Sequence, residues 1–160
     1  MKGNPDVIEK LNAALTHSLT AINQYFVHAK MCKNWGFHTL AGRKRKLSIA
    51  QMWYADWLID RILLLEGVPN MQRMNPVKVG EDVPEQHTLD LEAALEAQRL
   101  YNEALEFARR AGDNGSRDLL ERILEEEEEA IDWLEGETHV LGEVGTEHYL
   151  AQQLGEREGD

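Results

Sequence analysis

The sequence predicts an all-α protein in which four long amphipathic helices form one bundle, with a long crossover between the second and third helices and a short fifth helix at the C-terminal side. Three observations carry this. Apolar residues recur at steps of three and four along four separate stretches. The first and last joints between these stretches are short and marked by glycine, whereas the middle joint runs about fifteen residues. Nowhere does the chain alternate with the two-residue period of a strand.

The first helix carries Val7, Ile8, Leu11, Leu15, Leu19, Ile22 and Phe26 on one face and closes at Gly36. The second is expected from about Thr39 to Glu66, with Leu47, Leu58, Ile62 and Leu65 inward and Gly67 and Pro69 ending it. Asp82-Val83-Pro84-Glu85 has the form of a capping box with Asp82 as N-cap, opening a third helix that ends near Gly112. Ser116 or Asp113 caps the fourth, whose stripe of Leu120, Ile123, Leu124, Ile131, Leu134 and Leu141 continues to about Gly142. Gly145-Thr146 then starts the short last helix through Tyr149 and Leu150. Fully extended, about fifteen residues reach ~50 Å. A helix of about 28 residues is ~42 Å long, so the segment from Gly67 to Glu81 can run the length of the bundle.

The chain has 160 residues, 42% of them hydrophobic, which suits one domain over 1–160 with one core. A formal charge of -12 disfavours nucleic acid as a partner and favours cations near the surface. Asp60, Arg61 and Glu66 interrupt the strongest apolar run, so no membrane span is expected. Met1-Lys2-Gly3-Asn4-Pro5 does not open as a secretory leader, and the single cysteine, Cys32, forms no intrachain bridge; a soluble, cytoplasmic protein is expected. Cys32 is expected to be semi-buried.

In the acidic run Glu125–Glu129, Glu127 alone falls on the apolar stripe, seven residues after Leu120 and four before Ile131; the other four are expected in solvent. A di-iron centre in such a bundle needs a glutamate from each of two helices and a Glu-x-x-His pair from each of the other two. None of His17, His28, His38, His87, His139 or His148 has a glutamate three positions before it. His17 and His28, about three turns apart, are expected to be solvated.

Asn23-Gln24-Tyr25-Phe26-Val27-His28-Ala29, Leu65-Glu66-Gly67-Val68-Pro69-Asn70, Gly80-Glu81-Asp82-Val83 and Ile131-Asp132-Trp133-Leu134-Glu135 together resemble bacterioferritin over nearly the full chain. The resemblance implies a ferritin-like bundle assembled into a hollow shell of twenty-four subunits. It puts the six di-iron ligands at positions occupied here by Ser18, Gln51, Tyr54, Ala94, Glu127 and Ala130, of which only Glu127 is a ligand type for iron at its place. The family's further iron site on the cavity wall falls on Lys46 and Ala50.

The same resemblance places a haem b at a twofold interface between subunits, its iron held by Met52 from each. Leu19, Ile22, Asn23 and Phe26 of the first helix then face the haem, as do Ile49 and Ile59 of the second. Arg45, two turns before Met52, is placed to pair with the propionates; Arg43-Lys44-Arg45-Lys46 is either a solvated basic patch or a group serving propionates or phosphate in the cavity. Val68, Pro69, Asn70, Met71, Glu81 and Glu85 correspond to the docking surface for a small bacterioferritin-associated ferredoxin. The implied function is iron storage, with electrons delivered through the haem to a ferric mineral, and with Fe(II) oxidation supplied by a ferroxidase-competent bacterioferritin subunit in a mixed shell. A haem-free structural subunit, or an oxidase built on Glu127 with Tyr25 or Tyr54, are the readings that stay open beside it.

Overall fold

The computed structural model describes residues 1–157, so the last three of the span 1–160 lie outside it. The Asn4 side chain accepts from the backbone N–H of Asp6 and Val7, and with Pro5 next in line it starts α1, Pro5–Asn34. The helices α2, His38–Leu64, α3, Val83–Arg110, α4, Asn114–Val144, and α5, Thr146–Ala151, follow. Asp82 caps α3 through the Glu85 N–H at 2.9 Å. Of the two candidate caps for α4 it is Asp113 that serves, accepting from the Ser116 N–H at 3.0 Å and held in place by Arg61 Nη2 at 2.8 Å.

Gly36 and Gly112 take the left-handed conformation that ends α1 and α3. At the end of α2 that conformation falls on Glu66, not on Gly67. Gly67 is needed for space: a Cβ there would lie 2.8 Å from Cγ2 of Ile8.

α1 packs along α2, and α3 along α4, with α1 against α3 and α2 against α4 closing the bundle. Leu11, Leu15, Leu58, Ile62, Tyr101, Leu120 and Ile123 fill its main core without solvent exposure. A smaller cluster of Cys32, Leu40, Val83 and Tyr149 joins α5 to the end where α1 meets α2. Cys32 is thus fully buried, not semi-buried. Phe26 departs from the inward stripe of α1 and is 44% exposed. No helix of the described residues is long and apolar enough to cross a membrane.

The crossover between α2 and α3 is fastened to α1 by polar side chains four residues apart. Asn12 donates to the Val68 carbonyl at 3.2 Å and accepts from the Asn70 N–H at 2.8 Å. Thr16 accepts from Arg73 Nε, Thr20 from the Asn75 N–H, Gln24 from the Lys78 N–H, and His28 Nε2 from the Gly80 N–H at 2.9 Å. All five of these side chains are buried, so the strap lies on a polar stripe hidden from water.

Candidate functional site

The six positions that resemble di-iron ligands are all buried: Ser18 on α1, Gln51 and Tyr54 on α2, Ala94 on α3, and Glu127 and Ala130 on α4. Gln51 Nε2 donates a short hydrogen bond to Glu127 Oε1, which ties α2 to α4. Ser18 Oγ and the Tyr101 hydroxyl lie 3.5 Å apart. Glu127 Oε2 and Gln51 Oε1 have no partner.

Burial pushes the Glu127 carboxyl up to about 7, against the bond from Gln51 that lowers it, and the nearby Glu126 adds to the rise. One proton removes the buried charge and turns the orphaned Oε2 into a donor. Burial, then the Glu127 charge, raise the phenols of Tyr25 and Tyr101 well above their ordinary value.

Of Tyr54, Gln51, Tyr25 and Gln98, the donors expected to hold Glu127 in place of a metal, Gln51 is the one hydrogen-bonded to it. Gln98 turns outward to Glu128 Oε2 at 3.3 Å, because it sits half-buried on the solvent side of α3. The Tyr54 phenol is pushed well above its ordinary value by burial first and by nearby Glu126 next. Glu127 is also the buried member of its acidic run, and Glu125, Glu126, Glu128 and Glu129 are exposed. Among the described residues no group of three His, Cys, Asp or Glu side chains is arranged to hold a metal ion.

The outer face of α1 and α2 has the opposite character. Met52 is 49% exposed, with Phe26 at 44% and Ile49 at 39%. Leu19, Ile22 and Ile59 are half-buried, and Asn23 and Arg45 exposed. Trp53, one residue and so about 100° further round α2, is exposed on a different face from Met52.

The four basic residues of α2 do not act together as a solvated patch. Arg43 lies over the Trp133 ring, and Lys44 is fully buried. Lys44 Nζ donates to Asp90 Oδ2 at 2.9 Å, while Asp90 Oδ1 meets His28 Nδ1 at 2.8 Å and Gln24 Nε2 at 3.1 Å. Burial alone would raise the Asp90 carboxyl, but the His28 hydrogen bond and the Lys44 charge outweigh it and hold it below the usual carboxylate range. Because His28 Nε2 accepts from Gly80, its ring proton sits on Nδ1, toward Asp90.

The expectation of solvated histidines is therefore overturned for both His17 and His28, which are 7% and 0% exposed. His28 belongs to the strap and to the Asp90 cluster. Burial lowers the His17 imidazole below its ordinary value, opposed by Glu96 and an Ala93 backbone bond. The four-residue spacing of Asn12, Thr16, Thr20, Gln24 and His28 was the available signal for this polar stripe.

Val68, Met71, Glu81 and Glu85 are exposed, and Pro69 and Asn70 half-buried. Asn70 is committed to the strap, its Oδ1 accepting from the N–H of Gln72 and Arg73. One chain does not bring these six residues together. The strap carries Val68–Met71 beside Asn12 and Gly80 beside His28, sixteen helical residues or about 24 Å apart.

Bundle, crossover and buried inter-helix pocket define a ferritin-like protein, and the family model described as a ferritin-like domain matches residues 8–141. The chain is 45% identical over 152 residues to the bacterioferritin of Mycobacterium leprae, covering 95% of this chain and 96% of that one. It is 43% identical over 152 residues to bacterioferritin BfrA of Mycobacterium tuberculosis, with the same coverage, and 41% identical over 149 residues to the bacterioferritin of Brucella melitensis, covering 93% and 92%. The chain belongs to the bacterioferritin family.

Proposed function

We propose that this chain is the haem-carrying subunit of a cytoplasmic iron-storage shell of twenty-four subunits, and that it leaves Fe(II) oxidation to a ferroxidase-competent subunit in the same mixed shell. The observation that carries this reading is a contrast within α2: Met52 stands exposed on an apolar face, whereas Gln51, its neighbour in sequence, points into a pocket with a single carboxylate. A thioether left in water on an apolar helix face suits a ligand better than it suits packing.

The residues present fit half of a haem site, the other half coming from a second copy. Met52 would hold the iron through its sulfur, Phe26 and Ile49 with half-buried Leu19 and Ile22 would form apolar walls, and exposed Arg45 would pair with propionates. A haem held in this way would supply one-electron transfer. Ser18, Ala94 and Ala130 offer no charge to a hard cation, and Gln51 and Tyr54 offer neutral donors, which supports a chain without its own ferroxidase centre.

The two ends of the strap support a twofold arrangement too. Antiparallel pairing of two copies would set Val68–Met71 of one against Glu81 and Glu85 of the other, closing the ~24 Å gap. A small ferredoxin then has one apolar and acidic surface to dock on, beside the haem it reduces.

The test is a visible spectrum of the purified protein and of Met52→Leu, with stopped-flow mixing of Fe(II). Haem absorbance is expected in the parent and lost in the variant, whose shell stays assembled because leucine fills a similar volume. An unchanged spectrum in Met52→Leu, or no haem in the parent, sinks the haem reading in favour of a structural subunit. Rapid saturable Fe(II) oxidation by the homogeneous protein favours instead an oxidase built on Glu127 with Tyr25 or Tyr54.

A further inference from the structure

The short helix α5, Thr146–Ala151, is too brief to persist on its own and has no side-chain cap. Its place is fixed by its buried residue, Tyr149. The Tyr149 hydroxyl donates to Glu137 Oε2 of α4 at 2.6 Å and lies 2.8 Å from His87 Nε2 of α3, so one phenol ties three helices together. The tail after α5 continues the attachment. Because α2 begins without a side-chain cap, its His38 and Thr39 N–H groups donate instead to the carbonyls of Leu154 and Gln153, each at 3.1 Å. Gly155 then turns with φ +58 so closely against Thr39 that a Cβ would lie 2.5 Å from its Oγ1.

Since the Tyr149 proton goes to Glu137, His87 must donate from Nε2 to the phenol oxygen, and its Nδ1 holds a lone pair. That nitrogen is buried and has no hydrogen-bond partner among the described residues. Trp133 and Tyr149 enclose the imidazole edge-on, with ring centroids at 6.1 and 5.8 Å. Charged and titratable groups face this corner from each neighbouring element: Lys44 of α2, His28 of α1, Asp90 of α3 itself, Glu137 of α4 and Tyr149 of α5. Cys32 of α1 lies beside the phenol, and Arg43 of α2 covers the Trp133 ring.

A proton on Nδ1 would add a second buried cation near Lys44 and a donor without an acceptor. Asp90, the one neighbour that favours it, is already bonded to Lys44 and His28. Burial first and Lys44 next push the imidazole down to about 3 from its ordinary 6.5. Exposure to water removes both penalties, and the smallest element over the ring is the six-residue α5.

We propose that α5 is an acid-released latch: protonation of His87 undocks Tyr149 and, with it, the tail that caps α2. The latch stands apart from the Met52 face and the Glu127 pocket and does not depend on the haem reading. Its sign follows from the lowered imidazole. Docking is strongest above 6.5 and weakens by about tenfold per pH unit as pH falls toward 3.

The test is hydrogen exchange of the assembled full chain, read by mass spectrometry on α5 and on the first turn of α2 and corrected for the intrinsic pH dependence of exchange. Protection of both segments is expected to fall by about a hundredfold between about pH 6.5 and about pH 4.5, while the core around Leu58 and Ile123 keeps its own. His87→Gln, which can still donate to Tyr149 but takes up no proton, should flatten the profile. Glu137→Gln should lower protection at every pH by about tenfold and keep the slope. A flat profile in the parent overturns the proposal, as does a core that loses protection in step with α5, which reports unfolding of the whole chain. So does a slope that survives His87→Gln, or one that Glu137→Gln abolishes, which assigns the titration to Glu137 instead.

Discussion

Asp90 and Glu127 are two carboxylates buried to the same degree in one bundle, and they answer burial in opposite ways. Asp90 is met by Lys44, His28 and Gln24 and is held below the usual carboxylate range. Glu127 is met by Gln51 alone, keeps an orphaned oxygen, and is pushed up to about 7. Desolvation acts on both, so the difference lies in the number of donors and the presence of a cation. The Glu127 pocket answers burial with a raised carboxyl, whereas the Asp90 cluster carries its own cation.

The comparison can be broken most completely by returning ligands to the poorer pocket. Ser18→Glu, Gln51→Glu, Tyr54→His, Ala94→Glu and Ala130→His together should raise the rate of Fe(II) oxidation by about tenfold or more over the parent. Stopped-flow absorbance reads this directly, and an unchanged rate would mean that the bundle geometry differs from that of the family.

Next in size is removal of the richer carboxylate. Asp90→Ala leaves Lys44 buried without a counter-charge, at an expected loss of about 3–5 kcal/mol in chemical denaturation. Asp90→Leu combined with Lys44→Met should recover most of that loss, since apolar groups of similar volume require no partners.

Glu127 then predicts a pH effect of defined sign. Its folded carboxyl, near 7, lies above the ordinary 4.5, so its stabilising contribution is full below 4.5 and is lost as pH rises through 7. At about 1.4 kcal/mol per pH unit the loss is about 3 kcal/mol. His17 and His87, both lowered chiefly by burial, act in the opposite sense below their ordinary 6.5. The Glu127 effect is therefore read as a difference: Glu127→Gln should match the parent near pH 5 and exceed it in thermal stability above pH 7.

The smallest effect concerns one rung of the strap. Thr20→Val removes the acceptor for the Asn75 N–H and should cost about 1 kcal/mol. Faster hydrogen exchange at Asn75, with α1 unaffected, would localise the loss.

Much of the fold was legible because helix periodicity and caps are local. Asp82 and the Asp113 region could be read from neighbours in sequence, and Leu120 to Ile131 fixed the inward position of Glu127. Phe26 was misplaced as a core residue because periodicity cannot distinguish a face turned to the core from one left for a partner. Under the proposed haem reading, Phe26 would lie on the face left for the bound group.

The Asp90 cluster went unread for a different reason. Lys44 stands within Arg43-Lys44-Arg45-Lys46, and only its partner 46 residues away separates it from three solvent-side neighbours. His28 was likewise taken for a solvated residue, since a polar stripe looks like a wet face until something is known to cover it. The Glu127 pocket was legible in composition but not in bonding, as Gln98 found an outer glutamate instead.

The rungs at Asn12, Thr16, Thr20, Gln24 and His28 also decide which way the second helical pair points. Apolar faces of α3 and α4 are indifferent to direction: a tight turn after α2 would send α3 back antiparallel to it and still bury the same leucines. With the strap fastened from Asn12 to His28, the chain arrives at the opposite end of the bundle, and α3 must run parallel to α2. In the turned-back alternative these five side chains would lose their bonds to the strap and the cover that it gives them. Up-and-down and crossed-over bundles are thus told apart by hydrogen bonds from a loop, while the core that stabilises both takes no part in the choice.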